Sequence, residues 1–232
     1  MPNSSKFIEP PQLWITRVGE DTKLLEQETV LLLSQSEKRR LDATKSITKR
    51  REYLLSRALM RHAFSQRFNL PISEWDFIDK PNAAPVITNL QDKIFFSLSH
   101  SKGYICFVIS PFPVGIDIEA INSQRNFSAL ADFFMSDEEK NILLNTTINH
   151  DAQAKYFYRI WCAKEAFYKA TNVQHKANKI TKSSILQTLE DDDWNISEFL
   201  IDSFMLSIIS KYKAPELLTN LFHLKYREVI KI

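Results

Sequence analysis

Glycine is nearly absent: the 232 residues hold three, Gly19, Gly103 and Gly115. No glycine-rich phosphate loop or dinucleotide fingerprint can be written with so few. P-loop nucleotidases and protein kinases are thereby excluded, and any phosphate must be gripped by side chains and metal. Cysteine is limited to Cys106 and Cys162, which rules against a disulfide framework and a cysteine zinc site. Long apolar runs are missing too. The longest apolar region, from Tyr104 to Ile116, is interrupted by Ser110, Pro111 and Pro113 and is too short to span a bilayer. The N-terminus has no basic segment followed by an apolar run, so a cytoplasmic protein without a membrane partner is expected. What remains, 44% hydrophobic and 25% charged residues, is the composition of an ordinary globular protein, long enough for one domain or two small ones.

What is present begins with Val114-Gly115-Ile116-Asp117-Ile118-Glu119. The alternation is that of a strand with one buried face. Val114, Ile116 and Ile118 are expected to enter a core, with Asp117 and Glu119 side by side on the other face and Gly115 leaving room beside them. Two carboxylates held together on a rigid strand are costly unless a cation neutralises them. Their ligand atoms are oxygens, so a hard ion such as Mg²⁺ is the natural guest, and it usually brings substrate phosphates. The plain alternative is a half-exposed strand with a solvated acidic edge.

About forty residues later comes Trp161-Cys162-Ala163-Lys164-Glu165-Ala166-Phe167-Tyr168-Lys169-Ala170. At helical spacing Tyr156, Ile160, Ala163 and Phe167 centre one face. Glu165 and Lys169, an i,i+4 pair, lie well round the cylinder from it. Tyr158, Trp161 and Tyr168 make that second side more aromatic than open solvent favours. A helix covered on both sides, with Glu165 and Lys169 on the inner wall of a cleft, is the expectation.

The net charge is only +2, yet residues 36–68 hold ten basic side chains against Glu37, Asp42 and Glu52. Most of the ten are expected on solvated surface. Arg57 and Arg61 differ, being interleaved among Leu54, Ala58 and Met60 on the apolar stripe of a helix.

Strand and helix together resemble the paired signature of the 4′-phosphopantetheinyl transferases of the Sfp type. That pattern is aliphatic-G-aliphatic-D-aliphatic-E, a gap, then W-x-x-K-E-x-x-x-K. Asp117, Glu119, Trp161, Lys164, Glu165 and Lys169 stand at the matching positions. The resemblance implies an α+β fold of two similar α/β halves in pseudo-two-fold arrangement, with the active site between them. The prolines at 111 and 113 suggest a boundary, giving a coenzyme-side half over 1–111 and a metal-binding half over 112–232. The implied reaction moves 4′-phosphopantetheine from coenzyme A to a serine of an apo acyl or peptidyl carrier protein and releases 3′,5′-ADP. Asp117, Glu119 and Glu165 would bind Mg²⁺, with Mn²⁺ as a substitute. Lys169, with Lys164 as a second candidate, would steady the pyrophosphate, and Glu165 would also serve as base.

Coenzyme contacts follow from the same likeness. Arg61 is the best match for an arginine on the coenzyme, with Arg57 second. Ile94 to Ser101 resembles a strand ending in Asn/Ser-x-Ser-His, which brings in Ser97, Ser99 and His100. The family's Gly-Lys-Pro is Ala83-Ala84-Pro85 here, and Lys80 is the lysine that could replace the missing charge. The implied partners are a carrier protein and coenzyme A, not nucleic acid, and the protein is expected to be a monomer. Two alternatives share parts of the pattern: a metal-dependent phosphohydrolase acting on a nucleotide-like pyrophosphate, and a basic nucleic-acid-binding module.

Along the chain the patterns predict a strand over 13–18 and a helix over 22–33. A strongly helical stretch over 36–68 follows, with Ser36 as a cap. A strand is expected near 75–78, then strands over 94–101, 104–109 and 114–119. Ser136 with Glu139 reads as a capping box. Residues 120–135 are a candidate partner surface, with Phe127 and Leu130 either contacting that partner or simply packed. Segments 183–189, 196–201, 204–209 and 221–226 read as strands of a second antiparallel sheet.

Overall fold

Two sheets lie face to face. The first is ordered β4 (Phe95–Ser101), β5 (Tyr104–Ser110), β1 (Gln12–Arg17) and β9 (Leu221–Leu224). β5 is antiparallel to both neighbours, whereas β9 runs parallel to β1. The second is antiparallel throughout, ordered β6 (Val114–Ala120), β8 (Phe204–Ser210) and β7 (Asn195–Ile201). A short pair, β2 (Phe77–Ile78) and β3 (Val86–Ile87), stands apart. The structure is a computed structural model describing residues 10–18, 23–80, 84–90, 93–145, 149–171, 182–212 and 221–224.

The facing sides of the sheets form one apolar layer: Leu13, Ile15, Cys106 and Val108 from the first meet Val114, Ile116, Ile118, Leu206 and Ile208 from the second. A helix of 22 residues covers each outer face. α3 (Ile47–Phe68) packs Leu55, Leu59, Ala63 and Phe64 against Trp14, Ile105 and Phe107. α6 (His150–Thr171) packs Phe157, Ile160, Ala163 and Ala166 with Met205 and Ile209. β5 therefore has apolar cover on both sides, which explains its unbroken apolar run from Tyr104 to Ile109. α1 (Lys23–Leu32) and α2 (Gln35–Ala43) accompany α3, while α4 (Phe127–Ala131), α5 (Asp137–Asn145) and α7 (Ile185–Asp191) surround α6. Among the described residues no helix is long and apolar enough to cross a membrane.

The mixed helix and strand composition agrees with the α+β expectation. Three local expectations are corrected. The stretch 36–68 is two helices, because Ser34, not Ser36, starts the first through a capping box with Glu37, and Ser46 caps the second. Ser36 instead accepts a hydrogen bond from the Asp79 N–H at 3.0 Å. Segment 183–189 is not a strand: Ile185 and Leu189, spaced i,i+4, are both buried on α7. The strand near 221 joins the first sheet through β1, and residues 225–226 lie outside the described residues. Phe127 is core, its ring 5.0 Å from that of Phe157, which is the packed alternative. The Ser136–Glu139 capping box is present, with reciprocal bonds of 3.1 and 2.8 Å.

Candidate active site

β6 alternates as its sequence predicts: Val114, Ile116 and Ile118 enter the layer between the sheets, and Asp117 and Glu119 face α6. How near the helix comes is set by Gly115. A Cβ there would lie 1.9 Å from the Ala166 carbonyl oxygen and 2.7 Å from the Ala170 nitrogen. Glycine thus makes room for helix backbone, which brings Glu165 and Lys169 over the strand carboxylates. The resulting cleft, of about 280 Å³, is lined by Leu98, Ser99, His100, Asp117, Glu119, Trp161, Glu165 and Lys169.

Within it Lys169 uses all three of its N–H donors, bonding Asp117 Oδ1 at 2.7 Å and both Ser99 Oγ and the Ile116 carbonyl at 3.1 Å. Asp117 Oδ1 also accepts from the Ser99 hydroxyl at 2.8 Å, while its Oδ2 is buried and has no hydrogen-bond partner. Ser101 donates to Glu119 Oε2 at 2.9 Å. Burial holds the Glu119 and Glu165 carboxyls above the usual carboxylate range, and the Asp117 charge pushes the same way. Three carboxylates thus share one ammonium. They line one cleft without closing on a common point, and among the described residues no three His, Cys, Asp or Glu side chains form a ready-made metal cluster.

His100 is half exposed at the rim, its Nδ1 3.7 Å from Glu52 Oε2. Burial lowers the affinity of its imidazole for a proton, with Glu52 partly offsetting this.

Several sequence candidates are not brought to the cleft. Arg61 is 1% exposed, and its guanidinium is paired with Glu37 at 3.1 and 2.6 Å beneath the ring of Phe77. Arg57 is likewise buried, 3.2 Å from Glu37 and 2.5 Å from Asp79. The apolar stripe that singled these arginines out buries them; it does not aim them at a ligand. Lys164 turns inward, bonding Glu139 at 2.7 Å and the carbonyls of Phe134 and Ser183 at 2.8 Å. Ser97 accepts from the Ile116 N–H at 3.2 Å and does not line the cleft. Lys80 is exposed, its carbonyl reached by Arg40, and residues 81–83 lie outside the described residues. Sequence inspection missed the parts played by Ser101 and Glu52. For Ser101 a signal existed, since serines at 97, 99 and 101 share the two-residue period of Gly115, Asp117 and Glu119.

Residues 113–219, which carry β6, α6 and their carboxylates, match the model of the 4′-phosphopantetheinyl transferase superfamily. That stretch is somewhat less than half of the chain, and in it the chain is similar to members of this superfamily. It is similar to the 4′-phosphopantetheinyl transferase psf-1 of Bacillus pumilus, 33% identical over 52% of this chain and 50% of that one. It is also similar to the 4′-phosphopantetheinyl transferase Sfp of Bacillus subtilis strain 168, 31% identical over 50% of each chain. With the 4′-phosphopantetheinyl transferase AcpT of Escherichia coli K12 it is 34% identical over 52% of this chain and 57% of the other. The chain thus spans about half the length of the curated relatives it matches.

Proposed function

We propose that this protein transfers the 4′-phosphopantetheine group of coenzyme A to a serine of an apo carrier protein, releasing 3′,5′-ADP. One observation carries the chemistry: Asp117 Oδ2 is buried without a partner in a cleft that also presents Glu119 and Glu165, inside the stretch matched by the superfamily model. A buried carboxylate oxygen without a donor, flanked by two further carboxyls, suits a hard divalent cation. Asp117, Glu119 and Glu165 are the residues that would hold Mg²⁺ or Mn²⁺. When bound, the cation supplies charge neutralisation and orientation to pyrophosphate oxygens.

The rest is done by the chain. The carrier serine oxygen attacks the β-phosphorus of the coenzyme, and the phosphorus bond to the bridging oxygen breaks as 3′,5′-ADP leaves. Glu165, a carboxylate on the wall of the cleft, takes the serine proton, directly or through water. Lys169 presents fixed positive charge to the pyrophosphate. His100, at the rim, is the candidate donor to a coenzyme phosphate. Arg61 and Lys164 are left out of this machinery because their charges are balanced internally.

The same proposal includes two similar halves, 1–111 and 112–232, related by a pseudo-two-fold axis. The support is two 22-residue helices, each lying on a largely antiparallel sheet, although β9 crosses back to the first half. It also includes a monomer working in the cytoplasm. The basic stretch favours a nucleic-acid partner less than its composition implies, since Arg57 and Arg61 face buried acids.

The deciding experiment incubates an apo carrier protein with coenzyme A, Mg²⁺ and the protein, and weighs the carrier by mass spectrometry. Gain of one phosphopantetheine on the serine is expected. An unmodified carrier with free 4′-phosphopantetheine and 3′,5′-ADP released from the coenzyme by water would instead identify a phosphohydrolase.

A further inference from the structure

β4 and β6 belong to different sheets, and side chains join their edges. Ser97, Ser99 and Ser101 recur at every second position of β4. Their hydroxyl oxygens accept from the N–H groups of Ile116, Ile118 and Ala120 at 3.2, 3.3 and 3.2 Å. Edge N–H groups of β6 are thereby satisfied without a backbone ladder. A hydroxyl has one proton left to donate after accepting such a bond. Ser99 donates it to Asp117 Oδ1 at 2.8 Å and Ser101 donates it to Glu119 Oε2 at 2.9 Å. Beside Ser97 the strand carries Gly115, with no carboxylate to receive one.

Three serines therefore make the same backbone contact, and two of them add a bond to a carboxylate. Ser99 is then fully used, because it also accepts from Lys169 at 3.1 Å. Its hydroxyl is committed to the carboxylate instead of being free for a phosphate oxygen. A carboxylate tethered by one oxygen presents the other in a fixed direction, as the unpartnered Asp117 Oδ2 shows.

We propose that Ser99 and Ser101 are positioning residues that orient the Asp117 and Glu119 carboxylates for a divalent cation, so that a site built on the second sheet is completed from the edge of the first. This rests on the proposed cation-binding role of those carboxylates. Hydrogen bonds behind a metal ligand fix its orientation in advance, and removing one typically weakens metal binding about 10- to 100-fold.

The test uses the full chain and Mn²⁺ alone, with free Mn²⁺ followed by electron paramagnetic resonance in titrations of wild type, Ser97→Ala, Ser101→Ala and Ser101→Thr. Ser101→Ala should raise the Mn²⁺ dissociation constant about tenfold or more. Ser97→Ala, which loses the same backbone contact, should leave it essentially unchanged, and Ser101→Thr, which keeps the hydroxyl, should retain wild-type affinity. Should Ser101→Ala fail to fold, Ser101→Cys carries the same expectation, because a thiol is a weak donor of similar volume. Unchanged affinity in the Ala or Cys variant would overturn the positioning role, as would equal losses in Ser97→Ala and Ser101→Ala. Absence of Mn²⁺ binding in wild type would remove the cation role beneath it.

Discussion

α3 buries Arg57 and Arg61, and α6 places Glu165 and Lys169 on the wall of a cleft, but the charges they meet differ. Around α3 the two guanidiniums face Glu37 and Asp79, and Arg40 completes the set at 3.0 Å from Asp79. Each buried guanidinium also lies over an aromatic ring, Arg57 over Tyr53 and Arg61 over Phe77. The network ties α2 and α3 to the end of β2 and uses its charge internally. Around α6 three carboxylates share a single ammonium, and one buried oxygen is left without a donor. Charge balanced within the fold is architecture; a surplus of one sign facing an open cleft calls for a ligand. Lys164, one residue before Glu165, belongs to the first kind because Glu139 neutralises it.

The balanced network around α3 is most vulnerable at Glu37. Glu37→Ala leaves two buried guanidiniums short of a partner and should cost about 3–5 kcal/mol of stability, read from urea unfolding. Arg61→Ala should also destabilise, while the folded protein keeps its KM for coenzyme A. A raised KM with unchanged stability would return Arg61 to the coenzyme site. Asp117→Ala should do the reverse. Transfer should fall about 10²-fold or more, as when a principal electrostatic stabiliser is removed. The loss of stability should be smaller than in Glu37→Ala, because the Lys169 ammonium left behind is partly exposed and keeps its bonds to Ser99 and the Ile116 carbonyl. Transfer within a few-fold of wild type at saturating Mg²⁺ would sink the cation assignment.

His100→Ala should have the smallest effect. A charge-assisted contact of about 1.5 kcal/mol corresponds to about tenfold in KM for coenzyme A. The preference for coenzyme A over 3′-dephospho-coenzyme A should shrink in the variant if the imidazole meets the 3′-phosphate. Burial lowers the proton affinity of His100, and a bound phosphate would raise it again. Wild type should therefore lose coenzyme affinity as pH rises and His100 gives up its proton. In His100→Ala that part of the pH dependence should vanish. Parallel pH profiles in the two proteins would take His100 off the phosphate.

Local pattern alone determined a good deal. The two-residue period of β6 settled which side chains enter the core and which face outward, because a strand has only two faces. The spacing of α6 put Glu165 and Lys169 on one wall, and the Ser136–Glu139 box named its own helix start. Scarce glycine excluded a backbone phosphate cradle before any fold was known. Tertiary structure decided the rest. Whether Arg61 meets solvent, ligand or Glu37 depends on residues 24 positions apart, which no helical period reports. The strand near 221 found its partner in β1 at the other end of the chain. The room that Gly115 leaves beside the carboxylates is taken up by helix backbone. The serines of β4 acquired their meaning only when the edge of one sheet met the edge of the other, because hydrogen-bond partners are chosen by proximity in space, and sequence encodes that only through the whole fold.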